Sequence, residues 1–179
     1  MRSELDAPDA ARFDSVATDY CEFLGRADRL SLTELLTAVE RLLPLLYHAA
    51  ACLPIVEPET SEVPRASIPG AEVTRIQTAL ARLLGRWDYY SEVFNPADRA
   101  EVDPVGSLLS GDLTEIYQDL RQSLALTNLE SVGPGDILWQ WRFDFSNHWG
   151  RHAVSALRMV NALLYMEFVD ALDQAGEAQ

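Results

Sequence analysis

Apolar residues recur at spacings of three and four along almost the whole chain, and this pattern restricts the possible folds more than any other feature. The spacing is the period of a helix with one buried face, whereas a half-buried strand would need strict alternation. No segment of useful length alternates in that way, and the sequence contains no internal repeat. A chain of 179 residues is long enough to bury one sizeable core. We therefore predict an all-α, single-domain bundle of five main helices.

The first two predicted helices have clear boundaries. The first carries its apolar face over residues 13–24 and ends at Gly25. The second begins at Leu32, because Ser31 followed by Glu34 is a capping-box pattern, in which each side chain bonds the other residue's backbone N–H.

Three further apolar stripes predict a third helix over residues 73–94, a fourth over residues 109–124 and a long hydrophobic last helix over residues 137–173. More than half of the circumference of the last helix is apolar, which is typical of a helix in the middle of a bundle. Beyond Ala162 even its polar side becomes apolar. Another helix or a second subunit should therefore cover that face.

The remaining segments define the predicted domain organisation. Residues 1–12 are predicted to be a flexible N-terminus, residues 13–173 one helical domain, and residues 174–179 a flexible acidic tail. Within the domain, residues 53–70 contain four prolines and show neither the helical nor the strand period. This segment is predicted to be a long extended surface loop.

The charge of the chain excludes several classes of function. All 14 basic residues are arginine, against 28 acidic residues, so that the formal net charge is −14 and no lysine is present. Lysine Schiff-base chemistry and a P-loop lysine are therefore excluded. An acidic protein is also a poor partner for nucleic acid or for an anionic membrane surface, since both require a positive face.

Location and redox state follow from short features of the sequence. The first residues lack the apolar region of a signal peptide, and no apolar run is long enough to cross a bilayer. We therefore expect a cytoplasmic protein. Two cysteines are too few for a disulfide framework or a cysteine metal site, and no cofactor-binding motif is present.

The last helix carries one pattern that could bind a metal. Asp144, His148 and His152 follow one another at intervals of four residues and so lie along one side of a helix. Two imidazoles one helical turn apart can share a divalent ion.

The fourth helix offers carboxylates that could complete such a site. Asp112, Glu115 and Asp119 fall in one narrow arc beside its apolar stripe. Helical bundles build metal sites from carboxylates and histidines on facing helices. The Glu-x-x-His spacing of di-iron bundles is absent. The candidate ligands for a divalent metal are His148, His152, Asp144, Asp112 and Asp119.

The same residues also suit a purely structural role. His152 would then be a core histidine hydrogen-bonded to a neighbouring helix. The acids of the fourth helix would form ion pairs, for example with Arg142 or Arg151, or would face solvent.

A second acidic pair and a set of aromatic residues define a candidate binding surface. Asp88 and Glu92 lie four residues apart in the predicted third helix. Together with the acids of the fourth helix they invite comparison with Mg²⁺-dependent helical nucleotide pyrophosphohydrolases, although the acidic spacings differ. Most of the aromatic residues suit core positions, whereas Tyr89 is expected on the exposed side. The candidate binding residues are Trp87, Asp88, Tyr89, Glu92, Trp141 and Trp149.

Four segments resemble a bacterial family of small proteins that is known only as a domain of unknown function. They are ATDYCEFL (17–24), WDYYSEVFNP (87–96), GDLTEIYQDL (111–120) and LWQWRFDFSNHWGRHAVSALR (138–158), and the last is the most specific. The resemblance extends over about residues 13–164. It implies an all-helical soluble domain and brings no assigned activity.

Taken together, the residues favour a non-enzymatic helical interaction or structural domain, with an unidentified protein or small molecule as its partner. A homodimer through the apolar end of the last helix is expected. The alternatives are a metal-binding bundle that uses His148 and His152, and a Mg²⁺-dependent enzyme related to the pyrophosphohydrolases.

Overall fold

The computed structural model describes residues 4–93, 95–100 and 103–166. Helices form most of this part of the chain, which confirms the predicted helical bundle. The helices are α1 (Pro8–Leu24), α2 (Leu32–Ala51), α3 (Gly70–Leu84), α4 (Leu109–Ala125), α5 (Pro134–Asp144) and α6 (Gly150–Tyr165).

One long final helix runs through α5 and α6, so that the bundle has five main helices, as predicted. The two parts are joined by a five-residue π turn, Phe145–Trp149, whose backbone stays in the right-handed helical region. Gly150 ends this turn, and a Cβ at that position would lie 2.5 Å from the carbonyl oxygen of Phe145. The predicted extension to residue 173 and the predicted acidic tail lie outside the described residues.

The start of the chain corrects one prediction. α1 begins at Pro8, inside the segment that was predicted to be a flexible N-terminus through residue 12. Proline suits the first turn of a helix because the N–H that it lacks has no partner there. Ala10 is buried against the core and extends the packed face of α1 toward the N-terminus. The capping box at Ser31 and Glu34, by contrast, is present as predicted.

A two-stranded hairpin replaces the second half of the predicted third helix. α3 ends at Leu84, and Gly85 adopts a positive φ of 52°, which favours glycine. Strand β1 (Tyr89–Glu92) then pairs antiparallel with β2 (Val105–Leu108). The prediction of helix is wrong over residues 88–93, because an alternating segment of four residues is too short to stand out from the helical spacing on either side.

The core lies where the final helix meets α1, α2 and α4. α6 packs against both α2 and α4, as expected for a helix in the middle of a bundle. The ring of Phe13 on α1 lies 4.9 Å from that of Trp141 and 6.4 Å from that of Trp149, centre to centre. None of the helices in the described residues is long and apolar enough to cross a membrane.

The proline-rich loop between α2 and α3 is extended, as predicted, and it is tied to the start of α5. The buried carboxylate of Asp136 accepts hydrogen bonds from the backbone N–H groups of Glu59 and Thr60 and from the Thr60 hydroxyl, at 2.7, 3.1 and 2.9 Å. The Glu59 side chain lies directly over Gly133 and Gly135. A side chain at either glycine would therefore require the Glu59 carboxylate to move.

Candidate functional site

Two histidine–aspartate pairs lie between α4 and the final helix, with His148 in the π turn and His152 on α6. Nδ1 of His152 is 2.8 Å from a carboxylate oxygen of Asp112, and Nδ1 of His148 is 2.7 Å from a carboxylate oxygen of Asp119. The structure thus brings together four of the five residues that the sequence proposed as metal ligands. The two rings are 5.0 Å apart, centre to centre, and nearly perpendicular at 73°.

The chemistry of the partners assigns the proton in each pair. An ionised carboxylate can only accept hydrogen bonds, so Nδ1 of each imidazole is the donor. In a neutral ring, Nε2 then carries a free lone pair. Each aspartate therefore holds its imidazole in one tautomer and one orientation.

The pair formed by Asp112 and His152 is the more enclosed of the two. The Asp112 side chain is 6% exposed and the His152 side chain 20% exposed. The second carboxylate oxygen of Asp112 accepts a 2.5 Å hydrogen bond from the Tyr90 hydroxyl. Burial raises the pKa of Tyr90, and the neighbouring Asp112 raises it further, so that the phenol remains a donor. Nε2 of His152 is buried and has no hydrogen-bond partner among the described residues.

The pair formed by Asp119 and His148 is partly open to solvent. The His148 side chain is 37% exposed and the Asp119 side chain 12% exposed. Burial raises the pKa of Asp119, and the hydrogen bond from His148 opposes that rise. The pair borders an open cavity of about 570 Å³, which Arg65, Glu115 and Asp144 also line.

Asp144, the fifth predicted metal ligand, belongs to a different set of contacts. Its carboxylate accepts hydrogen bonds from Ser123 and Gln140, both at 2.7 Å, and Arg65 lies 4.0 Å away. Asp144 nevertheless lines the same cavity as His148, so it lies beside the pair of Asp119 and His148 without bonding either imidazole.

The structure provides only part of the geometry that the predicted metal site requires. Within residues 4–93, 95–100 and 103–166, no three histidine, cysteine or acidic side chains converge in an arrangement that could hold a metal ion. Asp112 and Asp119 are hydrogen-bonded to Nδ1 of the imidazoles, so they do not converge with the rings on a common ion. The structural alternative predicted an ion pair between these acids and an arginine such as Arg142. The guanidinium of Arg142 instead donates hydrogen bonds to the backbone carbonyls of Ala50 and Ala51.

The second predicted acidic pair does not form on a helix. Asp88 precedes β1, and its carboxylate accepts from the backbone N–H and the hydroxyl of Ser110, at 2.7 and 2.8 Å, at the start of α4. Glu92 lies on β1 and accepts from Ser107 and Ser155, both at 2.6 Å. The comparison with helical pyrophosphohydrolases therefore loses one of its two helical acidic motifs, and the acids of α4 remain.

The aromatic candidates divide between core and surface. Trp141 and Trp149 are fully buried, so their prediction as binding residues is wrong, and they anchor the core. Trp87 is partly buried, with the Arg86 guanidinium 4.4 Å from its ring centre. Tyr89 is exposed, as expected, but it lies on a strand and not on a helix. Its ring covers Gly106, where a Cβ would lie 2.5 Å from the phenol oxygen.

Sequence reasoning did not identify two residues of the site. Tyr90 reaches Asp112 from β1, and Ser155 of α6 reaches Glu92. Alternation in the hairpin is the signal that could have found Tyr90, since it places Tyr90 and Glu92 on one face of the strand.

Comparisons with known proteins agree with the fold. A family model described as "Domain of unknown function (DUF5063)" matches residues 6–166. The crystal structure of protein BF1032 from Bacteroides fragilis, a target of the Northeast Structural Genomics Consortium, is similar to this chain, with a TM-score of 0.77 and 25% sequence identity. The similarity covers 90% of this chain and 96% of the other. No functionally curated protein matches the chain.

Proposed function

The chain belongs to the family of domain of unknown function DUF5063, and from this premise we propose that it is a non-enzymatic helical domain that acts by binding other proteins, including a second copy of itself. Membership in a domain of unknown function is what the sequence resemblance predicted. The family description brings no activity, so the proposal depends on this chain's own residues.

The observation that supports a structural role is the way in which the acidic side chains are used. Asp88 and Asp136 hold separate segments at the starts of α4 and α5. Asp112 and Asp119 join α4 to α6, and Asp144 joins the final helix to α4 through Ser123. Each of these five carboxylates thus connects two elements of the fold, which is the expected use of polar groups in a scaffold.

The end of the final helix supports self-association. Tyr165 is 65% exposed and Met166 is 60% exposed, at the C-terminal end of α6. Tyrosine and methionine are enriched in protein interfaces, where they provide large contact areas. The exposed surface of α6 further back is mixed, since Val154 alternates there with Arg158 and Asn161. We therefore place the contact between copies at the end of the helix.

Sedimentation velocity on the full chain at about 50 μM tests this proposal. The wild type should sediment as a dimer, and the double variant Tyr165→Asp/Met166→Asp should sediment as a monomer with an unchanged circular-dichroism spectrum. Leu129→Asp is the matched control, because Leu129 is also exposed but precedes the start of the final helix. A monomeric wild type, or a dimer that the double variant leaves intact, would contradict the proposed contact.

A further inference from the structure

We infer that the Nε2 atoms of His148 and His152 form a site for a divalent ion of the kind that prefers nitrogen ligands, such as Zn²⁺, Ni²⁺ or Cu²⁺. Asp112 and Asp119 hold the two rings in place from the opposite side. The inference goes beyond the proposed function, because neither a scaffold nor self-association requires a metal.

The separation of the two rings suits a shared ion. Their centres are 5.0 Å apart. A tetrahedral ion about 2.0–2.1 Å from each Nε2 would hold two imidazole centres about 5 Å apart. The observed distance between the ring centres is therefore the one that a shared ion would impose.

The carboxylates behind the rings are the second observation. A histidine that binds a metal through one ring nitrogen almost always donates the other N–H to a carboxylate, a carbonyl or a water. Both histidines of this pair do so, at 2.7 Å to Asp119 and 2.8 Å to Asp112. These bonds fix the tautomer in which Nε2 carries the lone pair that a metal needs.

The third observation is the unsatisfied nitrogen of His152. Buried polar atoms in folded proteins nearly always have a partner. Nε2 of His152 is buried and has none among the described residues, although Nδ1 of the same ring is bonded. A metal ion bound jointly with His148 would supply the missing partner.

The charge around the pair favours a cation over an anion. The cavity beside His148 is lined by the carboxylates of Glu115, Asp119 and Asp144, and Arg65 brings a positive charge to the same cavity. Imidazole ligands select zinc, nickel or copper, whereas magnesium and calcium prefer sites built entirely from oxygen. Because the protein supplies two ligands, water must complete the coordination, and it would enter from the open cavity beside His148, since Nε2 of His152 is buried.

Titration calorimetry with Zn²⁺ alone, on metal-stripped full chain without a histidine tag, tests the site. The expected result is one Zn²⁺ per chain, with affinity at least tenfold weaker in His148→Gln and in His152→Gln. His148 is partly exposed, so His148→Gln should keep its fold and decides the question even if His152→Gln unfolds. Absence of binding to the wild type, or unchanged binding to His148→Gln, would overturn the inference.

The chain contains its own matched control. His48 on α2 also has a neighbour one turn away, since its Nε2 lies 3.8 Å from the sulfur of the exposed Cys52. His48→Gln and Cys52→Ser should leave the Zn²⁺ affinity unchanged. Loss of binding in either variant would assign the ion to α2 and overturn the site on α6.

A third variant tests the part played by the carboxylates. Asp119→Asn keeps both ligating nitrogens and alters the acceptor that orients one ring. Substitutions of this kind weaken metal binding by about 10-fold to 100-fold. An affinity equal to that of the wild type would overturn the positioning role of Asp119.

Discussion

Carboxylates hold two regions of this molecule together by different means. At the helix starts, Asp136 and Asp88 accept hydrogen bonds from backbone N–H and hydroxyl groups. Between α4 and α6, Asp112 and Asp119 accept them from imidazoles. The two regions are therefore built on the same kind of acceptor but on different hydrogen-bond donors.

Burial does not explain this difference. Asp88, Asp112 and Asp136 are all buried, and each has more than one hydrogen bond. The difference lies in the hydrogen-bond donor: an imidazole has a second ring nitrogen, and a backbone N–H or a hydroxyl group does not. At the helix starts the partners are backbone N–H groups and hydroxyls, whereas the imidazoles between α4 and the final helix also have a second ring nitrogen, Nε2. The helix starts can therefore only hold the fold, and the interface between α4 and α6 can also bind.

The largest expected effect is the loss of the carboxylate that ties the loop to α5. Asp136→Ala removes three accepted hydrogen bonds and leaves two backbone N–H groups of the loop without their acceptor. We expect the free energy of unfolding to fall by about 3 kcal/mol, measured by urea denaturation. Asp136→Asn is the control, since it keeps one acceptor oxygen and should lose less. A loss below about 1 kcal/mol would show that the loop is held mainly by its apolar contacts.

The next effect concerns the enclosed pair between α4 and α6. Asp112→Ala leaves both Tyr90 and His152 without their partner. The expected loss in the free energy of unfolding is about 2 kcal/mol in metal-free protein. Tyr90→Phe, which removes one of the two bonds, should cost less than Asp112→Ala. A larger loss in Tyr90→Phe than in Asp112→Ala would reverse this assignment.

A smaller effect is expected at the partly open pair. His148→Ala removes the partner of Asp119, but water can reach this site because the His148 side chain is 37% exposed. The expected loss is about 0.5–1 kcal/mol. Thermal melting of His148→Ala beside His152→Ala would check the order. Equal losses at the two positions would mean that enclosure does not distinguish the pairs.

The smallest effect is a pH dependence at the start of α2. The backbone N–H and the hydroxyl of Ser31 hold the pKa of Glu34 below its ordinary value. Because the folded pKa is below the unfolded one, the stabilising contribution is present above the unfolded pKa and is lost as the pH falls through the folded pKa. The difference in melting temperature between wild type and Glu34→Gln should therefore shrink from pH 6 to pH 3. A constant difference over that range would contradict the ionic form of this capping box.

Much of the fold could be predicted, because helical periodicity and capping are local properties. Residues within a few positions of one another determine the apolar faces of α1, α2 and α4. They also determine the capping box at Ser31 and the lengths of the helices. The hairpin could not be predicted with the same tools. Its two strands are four residues long and are stabilised by each other across a connection, so neither has a strong signal alone.

The candidate site could be predicted in its residues but not in its contacts. The spacing of His148 and His152, and the acidic arc of α4, identified the four side chains that meet. The spacing also placed Asp144 with them, but its carboxylate is bonded by Ser123 and Gln140 instead.

The sequence alone therefore specifies which faces are apolar, where most helices begin and which polar residues lie beside those faces, because each of these depends on neighbours in the chain. Three contacts depend on how the helices pack. They are the pairs Asp112 with His152 and Asp119 with His148, and the contact of Asp136 with a loop 76 residues away along the chain. Those contacts are set by the depth and angle at which the helices pack, which no local spacing encodes.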